Sequence, residues 1–177
     1  MSITILRTPD AWWVRTPAGA ARIATDATTT GRLLAEPEKI EAARGSTETI
    51  DPGTLDLVSP VTAPCRVVAQ MTNFASHVKD AGLNPETIPL TFFRKSSGSI
   101  SGPLDDIIRP GHVRFLDYEV EIGLVIGREL PVGTQVTADN WTSFVAGLVV
   151  TNEVQLSAVT CVPTGSSRPI TKPISTS

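Results

Sequence analysis

A regular alternation of apolar and polar side chains runs through residues 115–127, FLDYEVEIGLVIG. Alternate residues of a β-strand lie on the same face, so the alternation predicts a strand with one apolar face, suited to a core. The apolar face is predicted to carry Tyr118, Val120, Ile122, Leu124 and Ile126. The opposite face is predicted to carry Asp117, Glu119 and Glu121, followed by Gly123 and Val125.

Shorter patterns predict the other elements. Apolar and β-branched runs favour strands at residues 3–6, 12–16, 21–24, 65–70, 89–95 and 144–152, with turn residues at 17–20 closing a hairpin. Residues 31–44 favour a helix that Pro37 divides or starts. Residues 74–81 favour a short helix, with Asn73 as its N-cap. Since strands outnumber helices, a mainly β fold of the α+β class is predicted.

The composition changes twice along the chain, and these changes predict its domains. Residues 1–57 form a small β-rich N-terminal module, and residues 58–154 carry the candidate chemistry. Residues 155–177 are rich in Ser, Thr and Pro and poor in large apolar groups. Such a segment offers little burial to offset the entropy of ordering, so disorder is predicted from about Pro163.

Charge and composition exclude several classes of protein. A net charge of -3 provides no basic surface for nucleic acid or an anionic membrane. Two cysteines cannot make a disulfide framework, and they fit a reducing compartment. The first residues lack a basic region followed by an apolar run, and no apolar run is long enough to cross a bilayer. These features predict a cytoplasmic protein that binds neither nucleic acid nor membrane.

The carboxylates of Glu119 and Glu121 are the first candidate chemistry. Residues i and i+2 of a strand lie roughly 6.5–7 Å apart, close enough for both side chains to reach one ion. Hard divalent ions such as Mg²⁺ and Mn²⁺ prefer carboxylate oxygens. A solvated acidic face accounts for the same alternation, and from spacing alone it is the simpler interpretation.

Five segments together resemble one family. LDYEVEIGLVIGR closely resembles the signature strand of the fumarylacetoacetate hydrolase family. The other four resemble, in the family's order, its Asn-Tyr-x-x-His element, its lysine-bearing strand, the loop after it, and its strand ending in Asn-Asp. In this sequence they are Asn73–His77, Pro89–Lys95, Ser101–Pro103 with Ile107 and Pro110, and Phe144–Glu153. The resemblance covers about residues 60–154.

The resemblance implies a mixed β-roll catalytic fold and a site for a divalent cation. By position in the family motifs, the metal ligands are Glu119, Glu121 and Glu153, with Mg²⁺ or Mn²⁺ bound and Ca²⁺ as an alternative. His77 takes the position of the catalytic histidine, Glu86 lies where some members place a glutamate that pairs with it, and Lys95 faces the substrate. A solvated loop glutamate and a strand-end lysine remain the alternatives for Glu86 and Lys95.

The implied activity is hydrolysis of C–C bonds in small 2-oxo or 1,3-dicarbonyl acids, of the fumarylacetoacetate or acylpyruvate type, in the breakdown of aromatic compounds. Decarboxylation, hydration and isomerisation of 2-oxo acids are the alternatives within the family. Family members commonly form homodimers. His112 matches no motif and is interpreted as a surface residue, and Asp117 as a neighbour of the ligands or an exposed residue.

The sequence departs from the family in two places. Glu153 stands where the family usually has aspartate, and the extra methylene moves the carboxylate by about 1.5 Å. Beyond Val154 the likeness ends, so the β-roll is expected to be incomplete at its C-terminus and to leave an apolar sheet edge exposed. A truncated, non-catalytic relative is therefore the competing hypothesis.

Overall fold

The structure, a computed structural model, describes residues 2–156. Its strands are β1 (Thr4–Thr8), β2 (Ala11–Thr16), β3 (Gly19–Arg22), β4 (Val67–Gln70), β5 (Phe92–Lys95), β6 (Leu116–Ile126) and β7 (Val145–Leu156). Its α-helices are α1 (Thr30–Leu34), α2 (Pro37–Arg44) and α3 (Ala75–Asp80). The strands predominate, which confirms the mainly β prediction.

The described chain divides into two compact units. The first comprises the residues up to Thr30 together with Lys39–Pro103, and the second comprises Gly31–Glu38 and the residues from Leu104 onward. The boundary predicted after residue 57 stays a prediction. Residues 157–177, which include the segment from about Pro163 where disorder was expected, lie outside the part of the chain that the structure describes.

A three-stranded antiparallel sheet in the order β1-β2-β3 organises the first unit. The hairpin predicted around residues 17–20 joins β2 to β3. Trp12 and Val14 alternate with exposed or half-buried neighbours on β2, and both are buried together with Ala20 and Ala21 of β3. The indole N–H of Trp12 donates to the carbonyl of Ala27 over 2.7 Å, so burial of this large side chain leaves no polar atom unsatisfied.

Gly19 closes this hairpin in a conformation that side chains rarely adopt. Its φ is +149°, and a Cβ at this position would lie 2.5 Å from the carbonyl oxygen of Ile50. Gly19→Ala is therefore expected to lower the free energy of unfolding by about 1–3 kcal/mol. Urea unfolding would measure the change. The control is Gly31→Ala, because no atom lies within 4 Å of the added methyl. Equal stability of the two variants would contradict the proposed strain.

Two short helices replace the single helix considered for residues 31–44, and Pro37 is the first residue of the second. Proline is well tolerated there because the first helical N–H has no acceptor within the helix. The predicted division at Pro37 is therefore confirmed. Leu33, Ile40 and Ala43 are the buried residues of the two helices.

Strands β6 and β7 form a long antiparallel ribbon in the second unit. The pairing runs in one register from Leu116 opposite Leu156 to Val125 opposite Gly147, and a register shift follows at Ile126. The prediction for β6 is correct to within one residue at each end. Strand β7 continues four residues past the predicted end at Asn152, because its backbone keeps pairing with the start of β6.

The face of β6 that was expected to enter a core is exposed. Tyr118, Val120, Ile122, Leu124 and Ile126 are each at least half exposed, and so are Leu148 and Val150 on β7. That expectation is therefore wrong for the described structure. The acidic face of β6 is the half-buried one. We call the apolar side of the ribbon, made by these seven side chains, the apolar face. None of the described helices is long and apolar enough to cross a membrane.

Candidate active site

The β6–β7 register brings Glu119 directly opposite Glu153. Side chains of directly opposite residues point to the same face, with Cβ atoms about 4.5–5.5 Å apart. Glu121, two residues further along β6, lies on that face and is paired with Thr151. Antiparallel pairing therefore places the first and third candidate ligands side by side, although 34 positions separate them in the sequence.

The two opposed glutamates lie in a partly buried setting. Glu153 is only 9% exposed, and Glu119 is half-buried. Like charges directly opposite each other destabilise a sheet, and partial burial weakens the screening by water. A bound cation would turn the repulsion into attraction.

One hydrogen bond fixes the carboxylate of Glu119. The side-chain Nε2 of Gln155 donates to Glu119 Oε1 over 2.5 Å. Asp117 is directly opposite Gln155, but its Oδ1 accepts from the backbone N–H of Tyr118 over 3.0 Å. The carboxylate of Asp117 is therefore engaged with its own strand.

The donor set fits a hard divalent cation. The face offers carboxylate oxygens from Glu119, Glu121 and Glu153, which are the donors that Mg²⁺ and Mn²⁺ prefer. Within residues 2–156, no group of three or more His, Cys, Asp or Glu side chains is close enough to hold an ion as the side chains stand. The structure thus pairs Glu119 with Glu153 and places Glu121 on the same face, without bringing three ligands together in the described residues.

His77 lies on α3 in the first unit and is exposed to solvent. Its ring meets the ring of Phe74 edge to face, with centroids 6.1 Å apart. Phe74 is also the N-cap residue of α3, where it provides no side-chain hydrogen bond. The imidazole of His77 is therefore accessible to solvent. A group that exchanges protons with a substrate or with water needs such access.

Asn73 is not the helix cap that the sequence predicted. Its side-chain Nδ2 donates to the carbonyl of Thr91 over 2.8 Å, and its Oδ1 accepts from the backbone N–H of Thr91 over 2.9 Å. The side-chain amide of Asn73 thus bonds the backbone of Thr91 in the way that a paired strand residue would, next to the β4–β5 pairing. It ties the turn before α3 to the start of β5, the strand that carries Lys95. An asparagine just before a short helix can either cap the helix or pair with the backbone of another segment. Both roles use the same side-chain groups, so the local sequence does not distinguish them.

Glu86 and Lys95 occupy different settings in the first unit. Glu86 is exposed in a turn, where its backbone N–H donates to Asn84 Oδ1, and in the described chain no hydrogen bond or ion pair joins it to His77. Lys95 is half-buried at the end of β5, with Nζ 5.7 Å from the ring centroid of Phe93. The catalytic and substrate-binding roles of these residues stay predictions.

A surface groove of about 470 Å³ lies elsewhere in the first unit, between β2, β3 and residues 46–50. None of the predicted site residues lines it. Because a groove of this size can arise wherever a loop crosses a sheet, it does not alter the choice of candidate site.

Comparisons with known proteins match the part of the chain that carries the candidate site residues. The family model described as fumarylacetoacetate (FAA) hydrolase C-terminal matches residues 66–160. The mitochondrial oxaloacetate tautomerase Fahd2a of Rattus norvegicus is 35% identical over 97 residues, covering 55% of this chain and 30% of that protein. A 2,4-didehydro-3-deoxy-L-rhamnonate hydrolase of a Sphingomonas strain is 33% identical over 124 residues, covering 66% of this chain and 41% of that protein. The chain thus spans less than half the length of these two relatives.

A solved structure supports the fold. A protein of Mycobacterium smegmatis with the provisional description HpcE superposes with a TM-score of 0.66, at 21% identity, over 92% of this chain and 58% of that chain. Together with the observed strands, this similarity confirms the predicted mainly β fold of the fumarylacetoacetate hydrolase type. The match range of the family model contains all six predicted site residues, His77, Glu86, Lys95, Glu119, Glu121 and Glu153.

Proposed function

Because this chain belongs to the fumarylacetoacetate hydrolase family, we propose that it provides the metal-binding and proton-transfer groups of an enzyme acting on small 2-oxo or 1,3-dicarbonyl acids. The observation that carries the proposal is the Glu119–Glu153 pair, two carboxylates held opposite each other inside the segment that the family model matches. Glu121 is the third ligand of the proposed site.

A divalent cation at this site supplies Lewis-acid chemistry, stabilising the negative charge that develops on a carbonyl oxygen. The protein's own residues supply the rest. His77 transfers a proton at a carbon or a water molecule, since histidine gains and loses protons near neutral pH. Lys95 attracts the carboxylate of the substrate, and Glu86 orients His77 once its turn moves toward the helix.

Hydrolysis of a C–C bond is the reaction that we propose first. The Sphingomonas relative is named a hydrolase, and its match covers more of this chain than the match to the rat tautomerase. Isomerisation is the second candidate, because the rat relative is named an oxaloacetate tautomerase. Decarboxylation and hydration remain alternatives. The proposal also includes a role in the breakdown of aromatic compounds, a cytoplasmic location and a homodimeric assembly. These three parts rest on the sequence analysis alone.

Metal binding without turnover is the competing function. The Glu119–Glu153 pair favours cation binding on its own, whether or not a reaction follows. Turnover of oxaloacetate or of an acylpyruvate by the purified protein, above the background rate with the same metal ion alone, separates the two functions.

Calorimetric titration with Mn²⁺ tests the proposed site. Glu119→Gln keeps the size of the side chain and removes its charge, so the dissociation constant for Mn²⁺ is expected to rise by at least about 10-fold, the lower end of the effect of disturbing a metal site. Glu129→Gln is the control, because Glu129 is exposed outside the carboxylate face and the net charge changes equally. Equal affinity of the two variants for Mn²⁺ would contradict the site.

A further inference from the structure

Gln155 contacts Glu119 diagonally across the β6–β7 ribbon. It is paired with Asp117 in the register, yet its amide donates to Glu119, two residues further along β6. Diagonal neighbours of this kind are within reach of long side chains. The carboxylate of Asp117 accepts a hydrogen bond from the backbone N–H of Tyr118.

We propose that Gln155 is a positioning residue for the cation site, holding the Glu119 carboxylate through one oxygen and leaving its other oxygen available to a cation. The inference rests on the proposed function, because Glu119 must be a ligand for its orientation to matter. The amide binds Oε1, and a carboxylate with one oxygen bound still has lone pairs on both oxygens for further partners. Groups that hold a ligand in place raise metal affinity because less side-chain freedom is lost when the ion binds.

The chemistry of the side chain suits this role. An amide donates a hydrogen bond without bringing a charge, so it orients Glu119 and leaves the negative charge of the face available to a cation. Lysine or arginine at position 155 would instead bring a positive charge that neutralises part of the charge of that face. An aliphatic residue at this position would remove the hydrogen bond that Gln155 donates to Glu119.

The variant that isolates the donor is Gln155→Met, which keeps an unbranched side chain of similar length. Its dissociation constant for Mn²⁺ is expected to rise about 10–100-fold, the range for loss of a group that holds a metal ligand. Its thermal midpoint should stay close to that of the unsubstituted protein, since Gln155 is exposed. Gln135→Met, at another exposed position, is the control for the substitution itself and should bind Mn²⁺ normally.

A second measurement tests the contact without metal. In proton–nitrogen spectra, the side-chain amide of Gln155 should be shifted from that of Gln135 by its hydrogen bond to a carboxylate, and Glu119→Gln should reduce the shift. Unchanged Mn²⁺ affinity of Gln155→Met, an equal loss in Gln135→Met, or identical amide signals would each overturn the inference. Failure of the unsubstituted protein to bind Mn²⁺ would instead overturn the proposed function, and with it the premise for a role of Gln155.

Discussion

Replacing His77 with alanine is expected to lower turnover by about 10²–10⁴-fold, the usual loss when an enzyme is deprived of a general acid or base. Mn²⁺ affinity should not change, because the imidazole is not among the proposed ligands. The accessible position of His77 in the first turns of α3 fits exchange of protons with a substrate or with water. Steady-state rates with oxaloacetate and with an acylpyruvate, each with saturating Mn²⁺, measure the effect.

His112→Ala provides the matched control, since this chain has only two histidines and His112 is also exposed. Its rate should equal that of the unsubstituted protein. Equal losses in the two variants would mean that His77 has no special part in proton transfer. A loss of Mn²⁺ affinity in His77→Ala would show that the histidine belongs to the metal site instead.

Local patterns predicted the elements of this fold well. Alternation set the limits of β6, and Pro37 set the start of α2, because each depends on chemistry within a few residues. The length of β7 was underestimated, since its last four residues pair with the start of β6, more than 30 positions earlier in the chain. Asn73 was misassigned for a related reason. Its partner Thr91 is 18 positions away, and the sequence near the helix does not reveal it.

In the candidate site, too, the sequence predicted what depends on neighbouring residues and missed what depends on the pairing of distant strands. Spacing within β6 placed Glu119 and Glu121 on one face, and the family resemblance added Glu153. The directly opposed pair depends on register, which the sequence of either strand alone does not specify. Gln155 was missed because the motifs read from the sequence end at Glu153, and only the paired strands bring its amide to Glu119. The roles assigned to all these residues stay predictions.

Alternation identifies the residues that share a face, but it does not identify what covers that face. The apolar residues of β6 were assigned to a core, yet Val120 and Ile122 are 77% and 73% exposed. The exposed surface is a whole face of the ribbon. The sequence predicted an exposed sheet edge instead, and that edge stays a prediction. Soluble monomers rarely expose apolar patches larger than a few hundred Å². The apolar face should therefore govern how copies of this chain behave at high concentration.

Replacing both Val120 and Ile122 with lysine is expected to weaken self-association of the chain by about 10²–10⁴-fold, since burying each apolar side chain in a contact between copies contributes on the order of 1.5–3 kcal/mol. The fold should survive, because both side chains are largely exposed and lysine on a strand also discourages edge-to-edge pairing. Sedimentation velocity over a range of concentrations would measure the change. Val132→Lys, at a fully exposed position outside the ribbon, tests whether added positive charge alone is sufficient. If that control reduced association as much as the double substitution, or if the unsubstituted chain stayed monomeric throughout, the apolar face would not drive association.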